Sequence, residues 1–477
     1  MKQLLITLIT IFIFTCNKLH SQELIPKIHY STYYGGIGID DADAVTVDAA
    51  GNIYLGCHSN STELPGTNKH SYTPGGGMDA FIVKLNPKGK KVDYLTHLGG
   101  SKWDAIQGLT SDTEGNIYAI GTTYSSDFPI DSNGFQSKSG GKSDAFVIKL
   151  NVEGKVVWST FLGGSQDEDG RNIVIGQDGN IHVIGRTESK DFPIIAGALQ
   201  SQLAGGIDVF VATLNPDGKV LATTYLGGSG NDIGFSIELD DMGRRYIGGT
   251  TNSLDFPVHN AIQEVNHGEN DLFIVMIDST GSSLEFASYL GGKGTDQIYN
   301  VNLGPLGDVF IMGVTTSSDF PTTQGVFQPE FKGERDAIIT RLNVKDRNIV
   351  YSTYLGGKNA ETLRNLVVDK KGNAFITGQT SSKDFPTVNS FQPKLRGRSD
   401  AFMTMLNPSG TSLIYSTLFG GKGTEIFEGA AIGTDGSITV SGLSSSKDFP
   451  LVNPLQNTYS GGRFDIVVTR FVLDERE

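Results

Sequence analysis

The chain has 477 residues and a net charge of −14 at neutral pH. That acidity argues against nucleic acid or an anionic membrane surface as the main partner, because the long-range field repels both. Gly accounts for 61 residues and Pro for only 16, which excludes collagen-like and proline-rich disordered chains, and the two Cys, Cys16 and Cys57, exclude a disulfide scaffold.

Residues 1–21 read as an export signal. Lys2 supplies a short basic start, and Leu4 to Phe14 is an uncharged, largely apolar run. Such a run suits a signal peptide and is too short to span a bilayer comfortably. Cys16 follows it directly, so two outcomes stand open: simple cleavage, with secretion, or lipidation of Cys16 after lipoprotein-type processing. Membrane attachment is expected only in the second case. No other stretch is apolar for long enough to form a spanning helix. Residues 22–477 then form one domain, and Cys57 is left without an internal disulfide partner.

Self-similarity dominates that domain. A Gly-Gly pair closes an aromatic, β-branched run seven times, with first glycines Gly35, Gly99, Gly163, Gly227, Gly291, Gly356 and Gly420. The spacing is 64 residues, and once 65. Each period holds four strand-like runs, a to d, rich in Val, Ile, Tyr, Phe and Thr. After Gly99 they span residues 105–111, 116–122, 144–151 and 156–162. Asp112 to Asn116 joins a to b, and Asn151 to Lys155 joins c to d. In both links a polar side chain opens a short hairpin and Gly takes the φ > 0 position. The b–c link is long and carries Asp127-Phe128-Pro129 and Phe135-Gln136.

Strand c is apolar on both faces, so both faces of each sheet are to be covered. Small sheets stacked face to face around an axis satisfy this, and the sequence predicts an all-β, seven-bladed β-propeller of four antiparallel strands per blade. The chain ends are out of phase with the repeat. The last period stops after strand c (residues 465–472), and an orphan d strand (residues 29–34) precedes the first a strand. The orphan is expected to pair with the final c strand and close the ring, which removes the sheet edges that would otherwise invite aggregation.

Tyr351-Ser352-Thr353-Tyr354-Leu355-Gly356-Gly357, Val368-Asp369-Lys370-Lys371-Gly372-Asn373, Gly378 to Pro386 and Asp400-Ala401-Phe402 together resemble the bacterial SBBP repeat. The resemblance covers residues 28–472. It implies a propeller in exported or cell-surface bacterial proteins, and no established reaction or catalytic residues. The first repeat departs most, reading Gly56-Cys57-His58-Ser59-Asn60-Ser61-Thr62-Glu63-Leu64-Pro65 where others carry Asp-Phe-Pro, and it is a place where a site could be grafted.

Three sets of residues invite a functional reading. The Asp-Phe-Pro triplets at Asp127, Asp191, Asp255, Asp319, Asp384 and Asp448 read as scaffold, with Phe inserted between blades, Pro stiffening the link and Asp accepting backbone N–H bonds. A second acidic series, Asp40, Asp104, Glu168, Asp232, Asp296, Glu361 and Glu425, falls five residues after each first Gly. It is expected to ring one mouth of the central channel, where it can hold a basic peptide or a cation such as calcium; the alternative is that each acid caps its own turn. The residue before each acid varies between repeats, and Trp103, with Tyr124 on the next loop, forms a candidate glycan or peptide platform.

No HExxH, GxSxG, Walker or zinc-spacing motif occurs. No cofactor is implied, and Cys57 reads as a buried strand residue rather than a nucleophile. The leading expectation is a non-enzymatic exported or cell-surface module that binds protein or glycan through the face made by its d–a and b–c loops. The alternatives are a polysaccharide-active enzyme with carboxylates near the channel mouth, and a structural part of a surface assembly.

Overall fold

A computed structural model describes residues 25–66, 75–131 and 134–474. The expected export signal and Cys16 lie outside the described residues. Among those described there is no helix long and apolar enough to cross a membrane.

The strands form seven antiparallel four-stranded sheets. In the second blade they are Asp104–Ser111, Ile117–Thr123, Asp144–Leu150 and Val156–Leu162, close to the ranges the repeat predicts. The a strands of successive blades pack against one another and so lie innermost. The hairpins form where the turn chemistry asks for them. Gly115 has φ of 85° and donates its N–H to the Asp112 carbonyl at 3.2 Å, while Asp112 Oδ1 accepts the Asn116 N–H at 2.8 Å.

Strand c is buried on both faces in every complete blade, as in Asp144–Leu150 and Asp271–Ile277. Its side chains feed hydrophobic clusters that lie between neighbouring blades. The Asp-Phe-Pro phenylalanines enter the same layer. Phe128, Phe192 and Phe256 are buried, and each ring lies against the strand-c Phe of its own blade, with centroids 4.3 to 4.9 Å apart. In the first blade Leu64 takes the place of that Phe.

The ring closes through the chain ends. Ile25–Tyr34 pairs with Asp465–Asp474 in register from Lys27 opposite Val472 to Tyr34 opposite Ile466, with one bulge between Ile28 and Tyr30. Tyr30, Tyr33 and Tyr34 are buried, and each fully buried large side chain contributes about 1.5–3 kcal/mol by area. Across the seam Ser441 Oγ donates to the Ala42 carbonyl at 3.2 Å, and Arg470 Nη1 to the Pro87 carbonyl at 2.9 Å. Truncation of residues 22–36 is therefore expected to lower the melting temperature by about ten degrees or more, or to cause aggregation; differential scanning calorimetry of the truncated chain checks this.

Candidate functional site

The seven-membered acidic series lies at the start of the innermost strands, as expected, but its carboxylates do not face the mouth. Asp40, Asp104, Glu168, Asp232, Asp296, Glu361 and Glu425 all have no exposed surface. Each accepts bonds from within the scaffold. Asp104 takes the Gly100 N–H at 2.7 Å, the Ser125 hydroxyl at 2.9 Å and the Thr123 hydroxyl. Glu168 takes the Gly164 N–H at 2.8 Å and the Thr187 hydroxyl at 2.6 Å. Strand direction turns these side chains into the junctions between blades, where a cation such as calcium would have to displace the Gly, Ser and Thr donors.

There each acid meets a second one, the Asp that opens strand c of the preceding blade. Glu361 and Asp336 flank Gly356 so closely that a Cβ on that glycine would lie 2.6 Å from an oxygen of each. Asp208 and Asp232 flank Gly227 in the same way, at 2.7 and 2.8 Å. The glycine recurs because of this close approach. The strand-c Asp is held by a Gln from the b–c loop: Gln200 Nε2 donates to Asp208 at 2.8 Å, while Gln200 Oε1 accepts the Gly227 N–H at 3.0 Å. In the first blade His97 Nε2 lies 2.8 Å from Asp79 instead. The Asp of Asp-Phe-Pro completes the junction, as where Asp127 Oδ1 accepts the Ser101 N–H at 2.9 Å.

Burial, reinforced by the paired charge, pushes these carboxyls up. Asp104 and Asp232 reach about 6, and Glu361, Glu425 and Asp465 about 7.

The surface that faces the channel comes from another position. In every blade the a–b ladder slips after the start of strand a. A bulge of this kind re-aims the extra residue. The residues at the slip are Asp43, Gln107, Arg171, Phe235, Tyr299, Arg364 and Glu428. Three adjacent pairs of them touch from blade to blade. The Arg171 guanidinium lies 5.6 Å from the Phe235 ring centre, Phe235 and Tyr299 have centroids 6.1 Å apart, and Arg364 Nη2 is 3.4 Å from Glu428 Oε1. The a strands surround a central cavity of about 350 Å³, lined among others by Asn172, Ser236, Asn300 and Glu238. Burial pushes Glu238 up to about 7.

The collar is not uniform. At the junction of the first and last blades, Asp41 and Asp43 share strand a, and His58 stands opposite Asp41 on strand b. His58 Nδ1 is 3.4 Å from Asp43 and Nε2 is 3.8 Å from Asp41. Burial opposes charge on His58, but Asp43 and Asp41 outweigh it and raise the imidazole to about 9. Burial raises Glu428 well above the usual range, and the Asp41 and Asp43 charges add to it. Asp43 is held low despite its burial, by His58 and Arg364. Cys57, next to His58, is buried and free, and burial keeps its thiol protonated.

Trp103 and Tyr124 come together as the sequence predicts. Their rings meet edge to face with centroids 5.7 Å apart, Tyr124 is 41% exposed, and Trp103 lies 6.0 Å from the His58 ring. The pair thus adjoins the collar. Sequence reasoning missed the collar, although its members fall three residues after each buried acid.

Three segments of the chain, residues 94–129, 157–193 and 350–386, match the SBBP family model, described as Beta-propeller repeat. It is 22% identical over 427 residues to the regulatory protein FlaEY of Caulobacter vibrioides, covering 84% of this chain and 42% of that protein. The chain therefore spans less than half of that relative's length. Among solved structures it is similar to a protein of unknown function from Dyadobacter fermentans (12% identity, 94% of this chain and 100% of that one, TM-score 0.45). It is also similar to a polysaccharide lyase of family PL25, an ulvan lyase (9% identity, 86% and 93% covered, TM-score 0.49).

The buried carboxyls set a pH dependence of stability. In the unfolded chain they titrate near 4, so the folded protein keeps protons that the unfolded chain has lost. Stability then falls as pH rises between about 4 and the folded values of about 6 to 7. The melting temperature is expected to be higher at pH 5 than at pH 8, as followed by calorimetry at constant ionic strength.

Proposed function

We propose that this SBBP-repeat propeller is a non-enzymatic binding module of the bacterial envelope, exported by its N-terminal segment and recognising a glycan or a protein through the d–a and b–c loop face. The observation that carries this reading is the contrast between a repeating scaffold and a non-repeating collar. The strand-a and strand-c acids and the Phe of Asp-Phe-Pro are buried, and the exposed Asp of that triplet is bonded to the neighbouring backbone. The seven bulged side chains differ from blade to blade and combine two guanidinium groups, two aromatic rings, two carboxyl groups and an amide. Beside them the edge-to-face pair Trp103 and Tyr124 offers aromatic surface next to polar groups, a pattern suited to sugar rings or peptide side chains. A position that varies within an otherwise fixed frame is where specificity is built.

A second reading, carboxylate chemistry on a polysaccharide, has one observation in its favour. Glu428 and Asp43 are neighbours at the junction of the first and last blades with their proton affinities driven apart, upward for Glu428 and downward for Asp43, the separation that acid and base roles require.

Both readings meet in one experiment on glycan and peptide arrays. The full chain without its first 21 residues is expected to retain a ligand intact, and Trp103→Ala or Arg171→Ala to weaken retention about tenfold or more with the melting temperature unchanged. Release of shortened saccharide, abolished by Glu428→Gln, would favour the enzyme reading. Retention that is indifferent to Trp103, Tyr124 and Arg171 would remove the collar from the account.

A further inference from the structure

The junction of the first and last blades holds a donor set that the binding reading does not use. Asp41 and Asp43 project from one strand, and His58 comes from the strand paired with it. One carboxylate oxygen from each Asp and one ring nitrogen of His58 all lie within 4.8 Å of one another. A single ion with bonds of about 2.0–2.2 Å to nitrogen and oxygen spans such a triangle after small side-chain rotations.

The second observation is Glu428. It arrives from the last blade, beside Asp41 and Asp43, and its side chain is 7% exposed. Its Oε1 meets Arg364 at 3.4 Å, but its Oε2 is buried without a hydrogen-bond partner. His58 Nδ1, also buried, has the Asp43 carboxylate at 3.4 Å. An unpartnered polar atom such as Glu428 Oε2 is costly unless something fills the gap. Three carboxyl groups meet one imidazole and one guanidinium here, so oxygen donors outnumber the cationic groups.

We infer that Asp41, Asp43, His58 and Glu428 form a binding site for a divalent transition-metal ion at the channel mouth. The donor set selects the class. Imidazole nitrogen with carboxylate oxygen suits Zn²⁺ or Mn²⁺, whereas Ca²⁺ takes six to eight oxygens in a roomier cage. The site exists in one blade only, because the other b strands carry Thr122, Arg186, Thr250, Val314, Gln379 or Leu443 at the place of His58. It also needs the closed ring, since Glu428 belongs to the last blade. An ion there would tie the first blade to the last.

Trp103, 6.0 Å from the His58 ring, supplies a reporter. The test uses the chain without its first 21 residues, stripped with a chelator and titrated with ZnCl₂, MnCl₂ or CaCl₂ alone by isothermal calorimetry, with tryptophan emission followed in parallel. One Zn²⁺ or Mn²⁺ per chain is expected, with a change in emission that Trp103→Phe removes while the calorimetric binding persists. His58→Gln, Asp43→Asn and Glu428→Gln are each expected to weaken binding about tenfold or more, with the circular dichroism spectrum retained; three separate variants keep the test open if one fails to fold. Absence of saturable Zn²⁺ or Mn²⁺ binding, binding unchanged in the folded variants, or Ca²⁺ binding as tightly as Zn²⁺ would overturn the assignment. Metal alone is the probe, so the outcome is independent of whether a glycan or peptide is retained on the arrays.

Discussion

The ring depends on seven junctions at which two carboxyl groups from adjacent blades close around one glycine. Burying two acids together is unfavourable unless each is supplied with donors. The repeat supplies them: a Gly N–H and Ser or Thr hydroxyls for the strand-a acid, and a Gln amide or His97 for the strand-c acid. The glycine itself is fixed by space, since any Cβ would enter the carboxylates. Gly-Gly, the acid five residues on, the Gln of the b–c loop and the Asp of Asp-Phe-Pro are thus parts of one unit. They recur together because removing one leaves the others without partners. Desolvation raises several of these acids toward neutral pH, so their charge is disfavoured in the folded chain.

This unit leaves the channel face free to vary. The a-strand bulge lifts one residue per blade out of the ladder, and nothing in the junction constrains its identity. Contacts link neighbouring collar residues at three of the junctions, Arg171 with Phe235, Phe235 with Tyr299 and Arg364 with Glu428. The first blade exploits the freedom furthest. Its b–c loop loses the Asp-Phe-Pro pattern, Leu64 replaces the packed Phe, and His58 stands at the end of the strand beside two Asp residues and Trp103.

Most of the fold was legible because its determinants are local. Strands show as β-branched alternation, hairpins as Asp or Asn followed by Gly at a fixed offset, and closure as a mismatch of phase between the chain ends. The acidic series was legible as a series but not in direction. Asp104 at the head of an inner strand can point along the channel or into the blade junction, and only the strand register and the partners Gly100, Thr123 and Ser125 decide. The collar was not read because a bulge depends on the pairing of two strands, and Arg171 or Tyr299 carries no mark of it. The group of Asp41, Asp43, His58 and Glu428 lay further out of reach, since Glu428 meets the others only when the last blade has docked on the first. Trp103 and Tyr124 were found because they are large, aromatic and in loops that the repeat places on one face.

The central claim, that adjacent blades fit together only because a glycine leaves room for two carboxyl groups that the scaffold's own donors satisfy, is tested most directly by Gly356→Ala. The added methyl group lies 2.6 Å from oxygens of both Asp336 and Glu361, so the pair must separate. A loss of about 3 kcal/mol in unfolding free energy is expected, read by chemical denaturation against the unsubstituted protein. A stability indistinguishable from that of the unsubstituted chain would contradict the account.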